Sequence, residues 1–404
     1  MSLKTEQFLP YGRQCIEDDD IAAVTAVLKS DYLTTGPAVD DFERAFAVKA
    51  GAAHAVSCSS GTAALHLAAA ALDLGPGDAV VVPTMTFLAT ANAARYVGAE
   101  VLFADVDPET VLLGADHVEA ALEQAGTLRP KAVFPVHLNG HVADMAALGD
   151  LARKRGLALV EDASHATGAS YVANGARVAV GRCAESAMTI FSFHPVKTIT
   201  MGEGGMVTTN DAAVADRLQR LRNHGIEREP RNFTDRAAAF TDNAPNPWYY
   251  EMQQPGWNYR ASDIACALGF SQLQKLDRFL ERRRALAALY DTLLAPLAPA
   301  VRPVPRRESF ESGWHLYAVL IDFEGLGTAR AKVMSGLRDQ GIGTQVHYLP
   351  VHRQPYYKAR YGNLRLPGAD AYYARCLSLP LFPSMTDADV ARVVDALSVA
   401  IRQA

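Results

Sequence analysis

From residue 54 to residue 161, short apolar runs alternate with amphipathic stretches, and this alternation limits the fold more than any other feature of the chain. Residues 54–58, 79–82, 100–104, 131–136 and 157–161 read as strands. Residues 63–71, 88–96, 115–124 and 145–154 read as helices between them. Runs such as Val80-Val81-Val82 are apolar at successive positions, so both faces of such a strand must be covered. The spacing fits right-handed crossovers in a mostly parallel sheet. The expectation is therefore an α/β fold of three layers, with a sheet between helices. Ligands bind beyond the carboxyl ends of such strands. Three strand ends are rich in polar side chains: Thr84 to Phe87, His137-Leu138-Asn139, and Asp162-Ala163-Ser164-His165.

The chain has 404 residues, more than one core usually serves. Two domains are expected, 1–270 and 271–404. The first includes an N-terminal arm with helices at 18–30 and 39–49. Residues 226–256 read as an irregular segment carrying Trp248-Tyr249-Tyr250, and such long segments serve binding or interfaces. Pro296, Pro299, Pro303 and Pro305 mark a linker. Beyond it, strands at 314–321, 344–347 and 378–381 mix with helices at 329–339, 369–376 and 390–401. Thr386 and Asp389 form a capping box for the last helix. This is a smaller α+β domain.

A net charge of -5 argues against nucleic acid as a partner. The five cysteines are scattered and lack metal-ligand spacing, which suits a reducing compartment and buried thiols. No secretory signal opens the sequence and no apolar run reaches about 18 residues, so a cytoplasmic protein is expected, with no membrane partner.

The stretch at 189–210, TIFSFHPVKTITMGEGGMVTTN, places one lysine, Lys197, between two apolar strands. A lysine there is costly unless something receives its amine: a carboxylate, a phosphate, or an aldehyde. Pyridoxal 5'-phosphate calls for such an amine, a carboxylate at its ring nitrogen, a phosphate cradle and a flat group over the ring. Lys197 offers the amine and Asp162 the carboxylate. Gly61, Thr62 and Ser192 are candidates for the cradle, since a strand-to-helix turn frees backbone N–H groups. Phe87 is the candidate for stacking. His165 is placed for the opposite ring face or the ring hydroxyl. Taken singly, Asp162 reads equally as a helix cap, Phe87 as core and His165 as a capping residue. Their conjunction around Lys197 favours the cofactor.

In these segments the chain resembles the DegT/DnrJ/EryC1/StrS sugar aminotransferases, a branch of the fold type I pyridoxal phosphate enzymes. The matching motifs are TTGP at 34–37, SSGTAAL at 59–65, PTMTFLATANA at 83–93, EDASHATGA at 161–169 and FSFHPVKTITMGEGGMVTTN at 191–210. GWNYRASDIACALGFSQL at 256–273, QVHYLPVH at 345–352 and LSLPLFPSMTDADV at 377–390 complete them. The resemblance implies that Lys197 holds the cofactor as a Schiff base, that Asp162 pairs with the ring nitrogen, and that Phe87 stacks on the ring. It implies that Gly61, Thr62 and Ser192 hold the phosphate. It also implies that Asn258 reaches a phosphate in the neighbouring subunit, hence a homodimer with shared active sites. Many members carry glutamine where His165 stands. Histidine there, with PWYYEM at 247–252 and QVHYLPVHRQPYY at 345–357, is similar to the branch that makes UDP-4-amino-4,6-dideoxy-N-acetyl-β-L-altrosamine. The implied reaction moves an amino group from L-glutamate to C4 of a UDP-linked 4-keto sugar. Tyr11, Trp248, Tyr249, Arg260, His347, Tyr348 and His352 are candidate substrate contacts. His347 and His352 have no carboxylate or cysteine at ligand spacing, so no metal is expected.

Three rivals remain: an aminotransferase for another nucleotide-linked keto sugar, a fold homologue without catalysis, and a dinucleotide-binding oxidoreductase. No GxGxxG follows the first strand, against the last of these. Lys197 and Asp162 together speak against the second.

Overall fold

The computed structural model describes residues 8–403 except residue 174. Its centre is a seven-stranded sheet. The strands in chain order are β1 (His54–Cys58), β2 (Asp78–Pro83), β3 (Glu100–Ala104), β4 (Arg129–Val133) and β5 (Ala158–Asp162). A hairpin of β6 (Ser170–Ala173) and β7 (Ala176–Ala179) stands apart from that sheet. β8 (Met188–Ser192) and β9 (Gly205–Thr209) complete the seven. Their spatial order is β1-β9-β8-β5-β4-β2-β3. From β8 to β3 every pairing is parallel, and β9 runs antiparallel to both β8 and β1. The α/β, mostly parallel expectation holds, with β9 as the reversed strand.

The alternation of side chains explains the layers. Val80 and Val82 join one apolar cluster, with Val56, Val160 and Ile190. Ala79 and Val81 join another on the opposite face, with Leu102, Leu159 and Phe191. Successive residues of a strand point to opposite faces, so an uninterrupted valine run serves two cores at once. Helices α1 (Asp18–Leu28) and α2 (Pro37–Ala50) lie N-terminal to the sheet in sequence. Phe42 and Phe46 of α2 meet Phe191 and Phe193 edge-on at 4.9–5.5 Å between ring centroids. That aromatic contact fixes the strand leading to Lys197. Helices α3 (Gly61–Ala71) and α4 (Leu88–Tyr96) follow β1 and β2.

The C-terminal part has a three-stranded sheet of Val301–Pro303, Tyr317–Ile321 and Cys376–Leu379. The proline-marked stretch thus includes an edge strand, a position that tolerates proline, and is not a plain linker. Residues 344–347 do not form the expected strand. Only an isolated bridge joins Gln345 to Ser378. The helix Leu276–Leu294 spans two cores: Leu276, Phe279 and Leu280 face the sheet cluster, while Leu286, Tyr290 and Leu294 face the C-terminal one. Residues 226–256 are less irregular than their polarity suggests. Short ladders pair Ile226–Glu227 with Glu251–Met252 and Phe240–Thr241 with Ala244–Pro245. The Glu251 carboxylate gathers this segment by accepting bonds from Thr234, Asp235, Tyr249 and Gln253 at 2.8–3.1 Å. The last helix, Asp387–Gln403, has the expected box: Thr386 N and Oγ1 both donate to Asp389.

Candidate active site

β5 ends at Asp162, and its neighbours fix the end tightly. Asp162 N donates to Pro135 O at 2.8 Å, and His137 N donates to Asp162 O at 3.1 Å. The side chain, 4% exposed, turns to the face of α4. Its Oδ2 accepts from Thr90 Oγ1 at 2.7 Å and its Oδ1 from Ser164 N at 3.1 Å. Thr90 is itself 2.7 Å from Thr86 Oγ1. The adjacent Glu161 points to the other face and is fully buried. Its carboxylate meets His137 Nε2 at 2.8 Å and Thr189 Oγ1 at 3.0 Å. Alternation along one strand thus puts one carboxylate into the core and one at the site.

β8 ends at Ser192, and Phe193 closes the loop that follows. Its N–H donates to Gly204 O at 2.9 Å, and its carbonyl accepts from Met201 N at 2.9 Å and Thr200 Oγ1 at 3.1 Å. Inside that loop Lys197 N donates to His194 O at 2.8 Å, a turn that presents the lysine. Burial pulls the Lys197 amine down from 10.5 to about 8, against the upward pull of Asp162. Near pH 7.4 roughly a fifth of such a group is neutral, able to take up a proton or attack a carbonyl.

The third piece is the start of α3. Ser60 caps it, its Oγ accepting from Ala63 N at 3.1 Å. A Cβ at Gly61 would lie 2.8 Å from Ser192 Cβ, so only glycine lets this helix end approach β8 so closely. A Cβ at Gly205 would lie 2.3 Å from Ser60 O. Gly61 and Thr62, in the first turn of the helix where N–H groups lack an intrahelical partner, and Ser192 all line the same cavity, an arrangement suited to an anion.

These pieces open on one cavity of about 620 Å³ at the carboxyl ends of the strands. Tyr11, Gly61, Thr62, Phe87, Asp162, His165, Ser192, Lys197, His347 and Tyr348 all line it. Phe87, at the start of α4, is 54% exposed and stands 5.8 Å from the Tyr348 ring. His165 Nε2 is 3.0 Å from Tyr348 Oη, and its Nδ1 is buried without a partner. Burial, with Lys197 and His347 adding to it, keeps His165 well below the usual imidazole range. His347, bonded to Ser378 Oγ at 2.8 Å, is pushed down to about 3 mainly by burial.

The other candidates lie elsewhere. His352 is buried against Thr84, Nδ1 to Oγ1 at 2.7 Å, outside the cavity lining. Trp248 is 73% exposed, and Tyr249 Oη donates to Glu251 at 3.1 Å. Asn258 is exposed and bridges Asn223, while Arg260 Nη1 donates to Asn223 Oδ1 at 2.6 Å. Arg260 lines a separate cavity of about 450 Å³, which also holds Arg220, Arg222, Arg228 and Arg231. Thr90, which bonds Asp162, and His315, whose ring centroid is 4.4 Å from that of His165, stand behind the lining residues and were missed by the sequence reading. Thr86 and Thr90, four apart across a helix start at a strand end, were the available signal. No group of three or more metal-ligating side chains occurs among the described residues.

An amine held partly neutral, a hydrogen-bonded carboxylate, a glycine-tight anion cradle and an unpartnered imidazole nitrogen fit pyridoxal 5'-phosphate. A family model described as the DegT/DnrJ/EryC1/StrS aminotransferase family matches residues 14–398. The spore coat polysaccharide biosynthesis protein SpsC of Bacillus subtilis is 39% identical over 400 residues, 98% of each chain. Helicobacter pylori PseC, an aminotransferase of pseudaminic acid biosynthesis, superposes with a TM-score of 0.86 at 26% identity, covering 98% of this chain and 100% of that one. The PLP form of the sugar aminotransferase Spr1654 of Streptococcus pneumoniae gives 0.85 at 27% identity, covering 98% and 99%. The chain belongs to the DegT/DnrJ/EryC1/StrS aminotransferase family, and its cofactor is pyridoxal 5'-phosphate.

Proposed function

We propose that this aminotransferase moves the amino group of L-glutamate to C4 of a UDP-linked 4-keto-6-deoxy-N-acetylhexosamine. The product would be UDP-4-amino-4,6-dideoxy-N-acetyl-β-L-altrosamine, with 2-oxoglutarate released. The observation that carries the chemistry is the shared cavity of Lys197 and Asp162. The likeness to PseC and the motifs around His165, Trp248 and His347 support the sugar. The 39% identity to SpsC favours a second reading, an aminotransferase for a different nucleotide-linked keto sugar.

When bound, pyridoxal phosphate supplies an aldehyde for the amine and a ring that accepts the electron pair of a broken C–H bond. Lys197 would hold that aldehyde and Asp162 the ring nitrogen, with Gly61, Thr62 and Ser192 on the phosphate and Phe87 against the ring. With the cofactor bound, the Lys197 amine would be the base that takes a proton from the donor carbon and, as the ammonium form, the acid that gives it back. Its lowered basicity suits both halves of that transfer. Thr90 and Ser164 hold the Asp162 carboxylate in one orientation, so the ring nitrogen meets a fixed acceptor. Tyr348, from the C-terminal part of the chain, lines the cavity and meets His165 across it at 3.0 Å.

Among the lysines and arginines, only Lys197 lines the cavity of the described chain. A homodimer answers the need for further polar and cationic groups: the Asn258 amide and the Arg260 guanidinium, outside their own cavity, would enter that of a second copy. Residues 1–270 and 271–404 would then act as cofactor and closing domains. The five cysteines are free thiols, in keeping with a cytoplasmic enzyme. No helix among the described residues is long and apolar enough to cross a membrane.

The substrate test is direct. The enzyme is first aminated with L-glutamate and freed of excess donor. UDP-4-keto-6-deoxy-L-arabino-HexNAc is expected to discharge it faster than the D-xylo epimer. The opposite order favours the second reading.

A further inference from the structure

One charged group in the cavity is left unused by the chemistry above. Glu203 lines the cavity and is exposed to it, and it makes no hydrogen bond or ion pair among the described residues. Its backbone is not loose. Gly202 N donates to Thr200 Oγ1 at 3.0 Å, and Gly204 O accepts from Phe193 N at 2.9 Å. A Cβ at residue 204 would lie 2.5 Å from Met201 Sδ, and one at residue 205 would strike Ser60. The turn therefore displays the Glu203 carboxylate from a fixed place on the same loop as Lys197.

A carboxylate there has a cost for almost every ligand the cavity admits. The cofactor carries a phosphate, the amino donor carries carboxylates, and a nucleotide sugar carries a diphosphate. Each is repelled by Glu203. The exception is a sugar ring, whose hydroxyl and amide N–H groups are donors. A carboxylate accepts only, with room for about four hydrogen bonds, and bonds to an ionised acceptor are about twice as strong as neutral ones. Other polar groups on the lining, Tyr11, His194 and Gln345 among them, bring a hydroxyl, an imidazole and an amide. This set matches hydroxyls and amides better than phosphate oxygens.

We infer that Glu203 is a specificity-determining residue that accepts hydrogen bonds from the sugar of the acceptor substrate. The inference rests on the nucleotide-sugar reading above. Glu203 then serves two ends: it favours a polyol acceptor and weakens binding of the dicarboxylate donor.

The test uses the holoenzyme and Glu203→Gln, which keeps shape and removes charge. UDP and UDP-N-acetylglucosamine, which has no keto group to be aminated, are titrated calorimetrically. The wild type is expected to bind the sugar nucleotide more tightly than UDP. Glu203→Gln should lose about 10-fold in affinity for UDP-N-acetylglucosamine, the worth of one charge-assisted bond, with UDP far less affected. The KM for L-glutamate should fall in the same variant. A general structural defect would weaken both nucleotides and the donor together. Glu203→Ala should repeat the pattern. Equal loss for UDP and the sugar nucleotide overturns the inference. So does a variant that loses the dimer or its cofactor, since the carboxylate then belongs to a subunit contact. A wild type that binds UDP-N-acetylglucosamine with Glu203→Gln unchanged removes only the role of Glu203. A wild type that aminates no UDP-linked keto sugar removes the functional reading itself, and this inference with it.

Discussion

Replacing Thr90 by Val tests whether the Asp162 carboxylate is held for catalysis. Valine fills the same space and lacks the hydroxyl. Thr90 is fully buried and donates to Asp162 Oδ2 at 2.7 Å, so the variant leaves Asp162 with Ser164 N as its remaining protein donor. It also strands the buried Thr86 hydroxyl, whose partner is Thr90. A hydrogen bond to a charged group contributes about 1.5–3 kcal/mol, and an unpaired buried hydroxyl costs about 1–3 kcal/mol. Taken together the stability loss in denaturant titration should be about 2.5–6 kcal/mol. The kinetic effect arises at Asp162. With that donor gone the carboxylate is held by Ser164 N alone, so it would face the ring nitrogen in a less fixed orientation and support the reacting bond less well. At 1.36 kcal/mol per tenfold, the rate of the L-glutamate half-reaction should fall roughly 10- to 100-fold. Stopped-flow absorbance of the bound cofactor measures it. In the Asp162→Asn background the same change should have little further effect on rate. A Thr90→Val enzyme within twofold of the wild type, and equally active at every pH tested, would falsify the role given to this hydroxyl.

Three further outcomes can be checked. Uptake of pyridoxal phosphate by the apoenzyme should rise with pH through about 8, because only the neutral Lys197 amine attacks an aldehyde; in Asp162→Asn the midpoint should move lower, since Asp162 favours the protonated amine, and a midpoint near 10 contradicts this. Gly61→Ala forces a Cβ within 2.8 Å of Ser192, so the cofactor should bind more weakly by about 1–3 kcal/mol in equilibrium dialysis, while unchanged affinity removes Gly61 from the cradle. His137→Leu leaves buried Glu161 without its 2.8 Å imidazole partner and should destabilise the fold by about 1–3 kcal/mol in urea; a change under about 0.5 kcal/mol makes that contact dispensable.

The sheet was legible because its strands are apolar on both faces and its helices are amphipathic, and both signals are local. Lys197 and Asp162 stood out for a related reason, as charges at the ends of apolar runs. The reversal of β9 was not legible, because an antiparallel and a parallel strand carry the same apolar pattern when both faces are buried. The hairpin of β6 and β7 and the ladders within 226–256 were hidden by short length and polar composition. Glu251 organises that segment through bonds to residues up to 17 positions away, which no spacing rule registers. His352 and His347 look alike in sequence, five residues apart, yet one is held by Thr84 and the other lines the cavity. Thr90 and His315 were missed because a threonine in a helix and a histidine beside an apolar run are ordinary until the neighbouring elements are placed.

The central claim is that the Lys197 amine is the group that takes the cofactor. Holoenzyme reduced with borohydride and digested should carry the pyridoxyl label on the peptide containing Lys197, and Lys197→Ala should take up no reducible label. Label recovered on any other lysine, or retained by Lys197→Ala, contradicts the account.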